Sequence, residues 1–287
     1  VNLAAQITAY LHPPFVVCDA ALATALAMAG QQRLTAAMGI TAAEYSIANC
    51  LYSLASGAQG ITTETELPLI EGPEWGRLAS FYEEHGLEPL SYDELVATQA
   101  AEKLGAAWRL LQRVPAVGNC LRTLVKTIQV LRSPDPEIDV SYSHPAVPFS
   151  VFVSVGDDNS LVAALRVAES LLHEAMHLKL TLLEAETALL HAGCQGLYYS
   201  PWRDENRPAR GVLHGLFVFA AVREFYAALT YFTELHQEEV EFIEDRLATI
   251  TDEFAVLQHF PEAADLTASG HRLATAILAP AAAVSTR

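Results

Sequence analysis

His173 and His177 lie four residues apart on a strongly helical stretch, and Glu174 follows the first directly, so 173–177 reads HExxH. Residues i and i+4 rise from one helix face with Cβ atoms about 6 Å apart, which lets two imidazoles converge on one metal ion. Glu174, the candidate catalytic residue, leaves the helix to one side, where it can reach a metal-bound water. Leu171, Leu172, Met176, Leu178 and Leu180 surround the motif and predict a buried helix. Two histidines and a glutamate in such a helix are strongly destabilising unless they are partnered. A metal supplies that partner; the plainer alternative is a hydrogen-bonded pair of core histidines.

The third ligand decides the chemistry. A metzincin places glycine and histidine at positions occupied here by Leu180 and Leu183, which excludes that class. Glu184 falls on the histidine face but about 10 Å beyond His177 along the helix, the place of a supporting partner or a substrate contact. His191 would lie about 20 Å away on the same helix. His214, in Gly211-Val212-Leu213-His214-Gly215, opens the next amphipathic segment and is the choice for third ligand. Three histidines leave coordination positions open, which suits zinc hydrolysis with Glu174 activating water, and equally non-heme iron. Spacing alone leaves both readings standing.

The elements that must position these residues are mostly helices. Apolar periodicity predicts helices over 2–11, 19–36, 41–56, 73–84, 92–112 and 116–132. Ser91 to Glu94 has the form of a capping box. The texture then changes: 147–155 alternates apolar and small polar residues and reads as a strand, with 137–142 placed to pair with it as a hairpin. A long helix over 161–191 carries the motif, an irregular loop fills 193–210, and helices follow over 213–234, 236–258 and 262–278. The expected fold is mainly α: a helical region over 1–136 and a metal-binding region over 137–287 in one continuous domain, with a small β element before the HExxH helix.

Composition narrows the partners. The chain has 287 residues, enough for a core that needs no disulfide, and 52 % of them are hydrophobic, which argues against disorder. A formal charge of −17 argues against nucleic acid and against an anionic membrane surface. It fits a solvated acidic exterior or, more sharply, a groove for a basic partner. Four cysteines without CxxC spacing suit buried thiols in a reduced, cytoplasmic protein. The apolar stretch 16–30 is interrupted by Asp19 and has no basic lead, and the run 216–222 is too short to span a bilayer.

Over about 145–230 the chain resembles the HExxH-type peptide β-hydroxylases, which depend on iron and 2-oxoglutarate. The matching phrases are AESLLHEAMHL at 168–178, Tyr199-Ser200-Pro201-Trp202-Arg203, Arg207-Pro208 and the glycine-flanked His214. The resemblance implies Fe(II) at His173, His177 and His214, with 2-oxoglutarate and O2 as cosubstrates. It also implies hydroxylation of a β-carbon in a ribosomally made precursor peptide. A cosubstrate with a distal carboxylate calls for a cation, and the resemblance points to Arg203 and Arg207 ahead of Arg210 and Arg223. Tyr198, Tyr199 and Trp202 are candidates for the pocket wall. In an oxygenase Glu174 has no water to activate and would orient a ligand or touch substrate. Two other functions stay open: an HExxH zinc metallopeptidase and a non-catalytic peptide-binding scaffold.

Overall fold

A computed structural model of the chain describes residues 2–39, 60–61, 67–73, 75–133, 135, 138–156, 160–232 and 234–279. The helix expected over 41–56 and the tail 280–287 lie outside these. The protein is mainly α. Its helices are α1 (Leu3–Tyr10), α2 (Ala20–Met38), α3 (Trp75–Glu84), α4 (Tyr92–Ala97), α5 (Ala100–Gln112), α6 (Pro115–Leu124), α7 (Ala163–Glu184), α8 (Ala209–Phe232), α9 (Gln237–Val256) and α10 (Ala268–Leu278). The strands are β1 (Gly60–Ile61), β2 (Leu69–Glu71), β3 (Thr127–Leu131), β4 (Ser141–Tyr142), β5 (Ser150–Ser154), β6 (Leu197–Ser200) and β7 (Glu205–Pro208).

Local chemistry explains most boundaries, including those that differ from expectation. The helix expected over 92–112 is two: Ser91 and Glu94 form the capping box that starts α4, and Thr98 leaves helical geometry at φ −94° and ψ 162°. The helix expected over 116–132 stops at Leu124, and Thr127–Leu131 is a strand. Every residue of β3 is buried, with Thr127 bonded to Ser150 and Gln129 to Tyr82 and Glu71, and its short polar–apolar alternation is outweighed in the sequence by the helical periodicity before it. The expected hairpin exists, with Ser141 opposite Val153 and Tyr142 opposite Phe152. It is the edge of a larger mixed sheet of order β1-β2-β3-β5-β4, in which β2, β3 and β5 run parallel. The segment over 193–210 is not irregular: Tyr198 pairs with Arg207 and Tyr199 with Asn206 in an antiparallel hairpin. Its second strand, Glu-Asn-Arg-Pro, has little β propensity, which hid it.

Helix α7 is the hub. It packs against α2, α5 and α6 from the first half of the chain, against α8 from the second, and against β4 and β5. Rich in Ala, Leu, Val and Met and free of Gly and Pro, its sequence suits a helix enclosed on nearly all sides. Lys179 is fully buried there; its ammonium donates to the carbonyls of Val17 and Asp19 and lies 4.9 Å from the centroid of the Tyr10 ring. Glu224 of α8 accepts from the Val17 N–H at 3.0 Å, so α7 and α8 together clamp the segment between α1 and α2. Helix α8 begins at Ala209, directly after the hairpin. Its stretch Ala209–Tyr231 is long and apolar enough to cross a membrane, a longer span than the run 216–222, but 78 % of the apolar window is packed inside the protein.

Candidate metal and carboxylate site

The three expected imidazoles meet in a row. His173 and His177 face each other through their Nε2 atoms at 3.0 Å, and His177 and His214 face each other through their Nδ1 atoms at 3.0 Å. The rings of His177 and His214 stack with planes 21° apart. Beyond His214, its Nε2 lies 3.2 Å from Glu184 Oε2, within ion-pair reach but off the line of a hydrogen bond. Arg210 closes the row by gripping both Glu184 oxygens through Nε and Nη2 at 2.7–3.2 Å. Glu184 thus lies beside His214, because α8 folds back beside the last turn of α7.

Burial governs the charge of these rings. It holds the His173 imidazole down to about 4, reinforced by the positive fields of Arg246 and Arg203. Burial likewise keeps His177 well below its ordinary value, with His173 and His214 adding to the effect. Both rings are neutral at neutral pH and keep lone pairs for a metal. Burial raises the Glu184 carboxyl, but His214 and Arg210 outweigh it and hold the group below its usual range.

Two Nε2 atoms 3.0 Å apart match the spacing of adjacent donors around a divalent ion with metal–nitrogen bonds of roughly 2.1 Å. That edge fits iron or zinc. His214 does not share it: His177 turns one nitrogen to His173 and the other to His214, and one imidazole cannot reach one ion through both. Among the described residues no three His, Cys, Asp or Glu side chains converge as a finished ligand set. As placed, His214 orients His177, the role that a ring N–H acceptor plays behind a metal-bound histidine.

Glu174 faces away from the histidine row. Ser141 donates to Oε1 at 2.7 Å and Ser143 to Oε2 at 2.6 Å, so both carboxylate oxygens are tied to the edge of the sheet. Burial pushes this carboxyl up to about 7, and the hydrogen bonds from Ser143 and Ser141 pull partly against it. Neither serine was singled out by the sequence, although the pairing of 137–142 with the following strand brings them to the start of this edge.

A cleft of about 310 Å³ opens beside His173, lined by Asp139, Ser141, Arg166, Glu169, Ser170, Phe219, Phe242 and Arg246. Arg166 donates to Asp139 at 2.9 Å on one wall. Arg246 grips Glu169 through Nε and Nη2 at 2.6–3.2 Å on the other, and its guanidinium lies 5.2 Å from the Phe219 centroid. Phe219 in turn meets His173 edge-on at 5.3 Å.

The expected cosubstrate arginines lie elsewhere. Arg203 is exposed in the hairpin turn, and Arg207 lies against Gly211, whose added Cβ would come within 3.4 Å of the guanidinium. Their charges are felt at His173 and His177, but neither lines the cleft. Arg223 lies over Phe254 and donates to Ile277 O. Of the expected aromatic wall, Tyr198 packs edge-on to Phe260 and Tyr199 donates to Asp204 at 2.7 Å. Trp202 alone reaches the site region, lying 5.4 Å from Phe219 and directly over Gly215. The glycines flanking His214 thus have a steric reason: they let Arg207 and Trp202 lie on the first turns of α8. Comparison with protein-family models and with curated proteins finds no match for the chain.

Proposed function

We propose that the protein is an Fe(II)- and 2-oxoglutarate-dependent oxygenase that hydroxylates the β-carbon of a residue in a ribosomally made precursor peptide. The observation that carries this reading over zinc proteolysis is the fate of Glu174. A zincin needs that carboxylate beside the metal as a general base. Here its oxygens accept from the hydroxyls of Ser141 on β4 and Ser143 just after it, and it serves as a strut between α7 and the edge of the sheet.

In this reading His173, His177 and His214 would hold the ion, His173 and His177 from the edge their Nε2 atoms already form. Bound iron with 2-oxoglutarate and O2 supplies the oxidising chemistry. The chain's own residues do the rest. Burial keeps His173 and His177 neutral and ready to ligate, Glu184 and Arg210 fix the far end of the row, and Phe219 and Trp202 shield one side. The resemblance over 145–230 supports the same assignment, and the free thiols Cys18, Cys120 and Cys194 suit a reduced, cytoplasmic setting.

The test is anaerobic loading with Fe(II) followed by 2-oxoglutarate and O2. Succinate release that requires Fe(II) and is not supported by Zn(II) is the expected result. Peptide cleavage with Zn(II), lost in Glu174→Gln, would overturn the proposal in favour of a peptidase.

A further inference from the structure

The outer face of α2 carries no charge. From Ala20 to Gln32 the helix holds only Ala, Leu, Thr, Met, Gly and Gln, in a chain with 34 acidic residues against 17 Lys and Arg. Ala21, Thr24 and Met28 recur on this face at helical spacing and are exposed, Met28 to 57 %. They form one wall of a groove of about 580 Å³. The other wall is α6, with Asn119 and Arg122, and Lys126 just beyond its end. Among the described residues no acidic side chain lines the groove. Arg122 donates to the neutral Asn119 side chain. Lys126 is half-buried, and its ammonium donates to the Arg122 carbonyl at 2.7 Å. Burial lowers its affinity for the proton, with no carboxylate beside it among the described residues to offset that cost. A cation held partly out of water without a counter-charge favours the arrival of an anion. From Ala21 to Gln31 the uncharged wall runs about 15 Å, nearly three helical turns. Its small side chains let a second helix come close, and the Met28 thioether adapts to the apolar residue that meets it.

We infer that the groove between α2 and α6 is a docking surface for an amphipathic acidic helix of a partner protein, whose apolar face seats on Ala21, Thr24 and Met28 and whose carboxylates meet Lys126 with Arg122 beside it. The inference is independent of the oxygenase reading and of any ion. Its physics is that of a helix laid in a groove, with the apolar wall supplying contact and the cations fixing register. A formal charge of −17 repels an acidic helix from the exterior at large, so the cations of this groove decide where it settles.

The experiment is a fluorescence-anisotropy titration of the full chain against two dye-labelled synthetic helices of about 18 residues, five turns each. Both carry Ala and Leu along one face; the other face is Glu in one probe and Lys in the other. The Glu helix should bind with a Kd of about 10–100 μM, at least about tenfold more tightly than the Lys helix. Met28→Glu should weaken the Glu helix about tenfold or more by placing a charge on the apolar wall. Lys126→Glu should reverse the preference, so that the Lys helix binds the more tightly. Circular dichroism establishes that both variants fold; if Lys126→Glu does not, Lys126→Gln should still lower the preference for the Glu helix about threefold to tenfold. A Glu helix that fails to bind below about 1 mM, or that binds Met28→Glu as well as the wild type, overturns the inference. So does a preference for the Glu helix that survives in the Lys126 variants. Sedimentation of the protein alone closes the test: a monomer is expected, and a dimer that Met28→Glu splits would give the groove to a second copy of the chain and overturn the assignment to an acidic partner.

Discussion

Helix α7 carries two buried polar clusters a few residues apart, and they are built on opposite principles. Lys179 is closed: two backbone carbonyls accept from its ammonium, Tyr10 lies beneath it, and no surface remains. The histidine row is open: nitrogen faces nitrogen at 3.0 Å, burial keeps His173 and His177 uncharged, and a cleft reaches His173 from outside. A proton on His173 Nε2 and another on His177 Nδ1 give each nitrogen pair of the row one donor and one acceptor. The same lone pairs become ligands once an ion takes the place between the two Nε2 atoms. A buried polar group that finds all its partners in the backbone secures the fold, and one whose partners are other titratable groups keeps its chemistry available.

Swapping the damage between the clusters breaks the comparison most sharply. Lys179→Met removes the ammonium from the Val17 and Asp19 carbonyls, which keep only the Tyr10 hydroxyl and the Ala23 N–H as donors, and should lower the unfolding free energy by roughly 1–3 kcal/mol. The metal content of the folded fraction should not change. His173→Ala and His177→Ala should do the reverse, abolishing stoichiometric Fe(II) or Zn(II) binding with little loss of stability in the metal-free protein. Denaturant melts alongside metal analysis read both axes; equal loss of metal in Lys179→Met would erase the distinction.

Within the open cluster, His214 is the next point of leverage. As a ligand, its removal in His214→Ala should weaken metal binding by more than about a hundredfold, and Glu184→Gln behind it by about tenfold. An orienting role alone would give about tenfold for both. Competition titration with a chelator separates the two outcomes.

What the sequence made legible follows the same division. The His173 and His177 pair is readable because i,i+4 spacing fixes a shared face whatever packs against it. Glu184 and His214 are readable as neighbours of the site, since helix rise sets one and a helix start the other. Ring direction is not readable, because the packing of α8 against α7 decides whether His214 shows its nitrogen to an ion or to His177. Arg246 carries no signal at all: its partner Glu169 is on the histidine face four residues before His173, but the two are 77 residues apart in the chain. β3 eludes the sequence for a related reason: Thr127 and Gln129 find their partners in residues far along the chain, and a short strand does not stand out from the helical periodicity before it.

Glu174 belongs to neither principle cleanly, and its pH dependence shows which it follows. Its carboxyl is raised by burial to about 7 in the fold, against 4.5 as the ordinary value. The fold therefore favours the protonated acid. Its stabilising contribution is complete below about pH 4.5 and is lost as pH rises through about 7, on the order of 2–3 kcal/mol in total. Glu174→Gln, which cannot ionise, should remove that slope from the metal-free protein and leave the variant relatively more stable above pH 7. Turnover at neutral pH should change by less than about threefold, because Gln can still bridge Ser141 and Ser143. A loss of about a hundredfold or more would mark a general base instead.

The smallest effect tests how firmly the hairpin is joined to the open cluster. A Cβ at Gly215 would sit 2.0 Å from the Trp202 ring, so Gly215→Ala must displace the indole from α8. The backbone there is helical and gains from alanine by about 1 kcal/mol, which opposes the steric loss of roughly 1–3 kcal/mol. Global stability should therefore fall only slightly. The local readout is stronger: Trp202 loses its seat beside Phe219, the residue that packs against His173, so indole fluorescence should shift toward that of a solvent-exposed ring. Metal affinity should hold if the hairpin merely covers the site, since His173 and His177 are fixed by α7 itself. A parallel loss of metal would show that the row is held in place from the hairpin side, and that the open cluster depends on a wall the closed one does without.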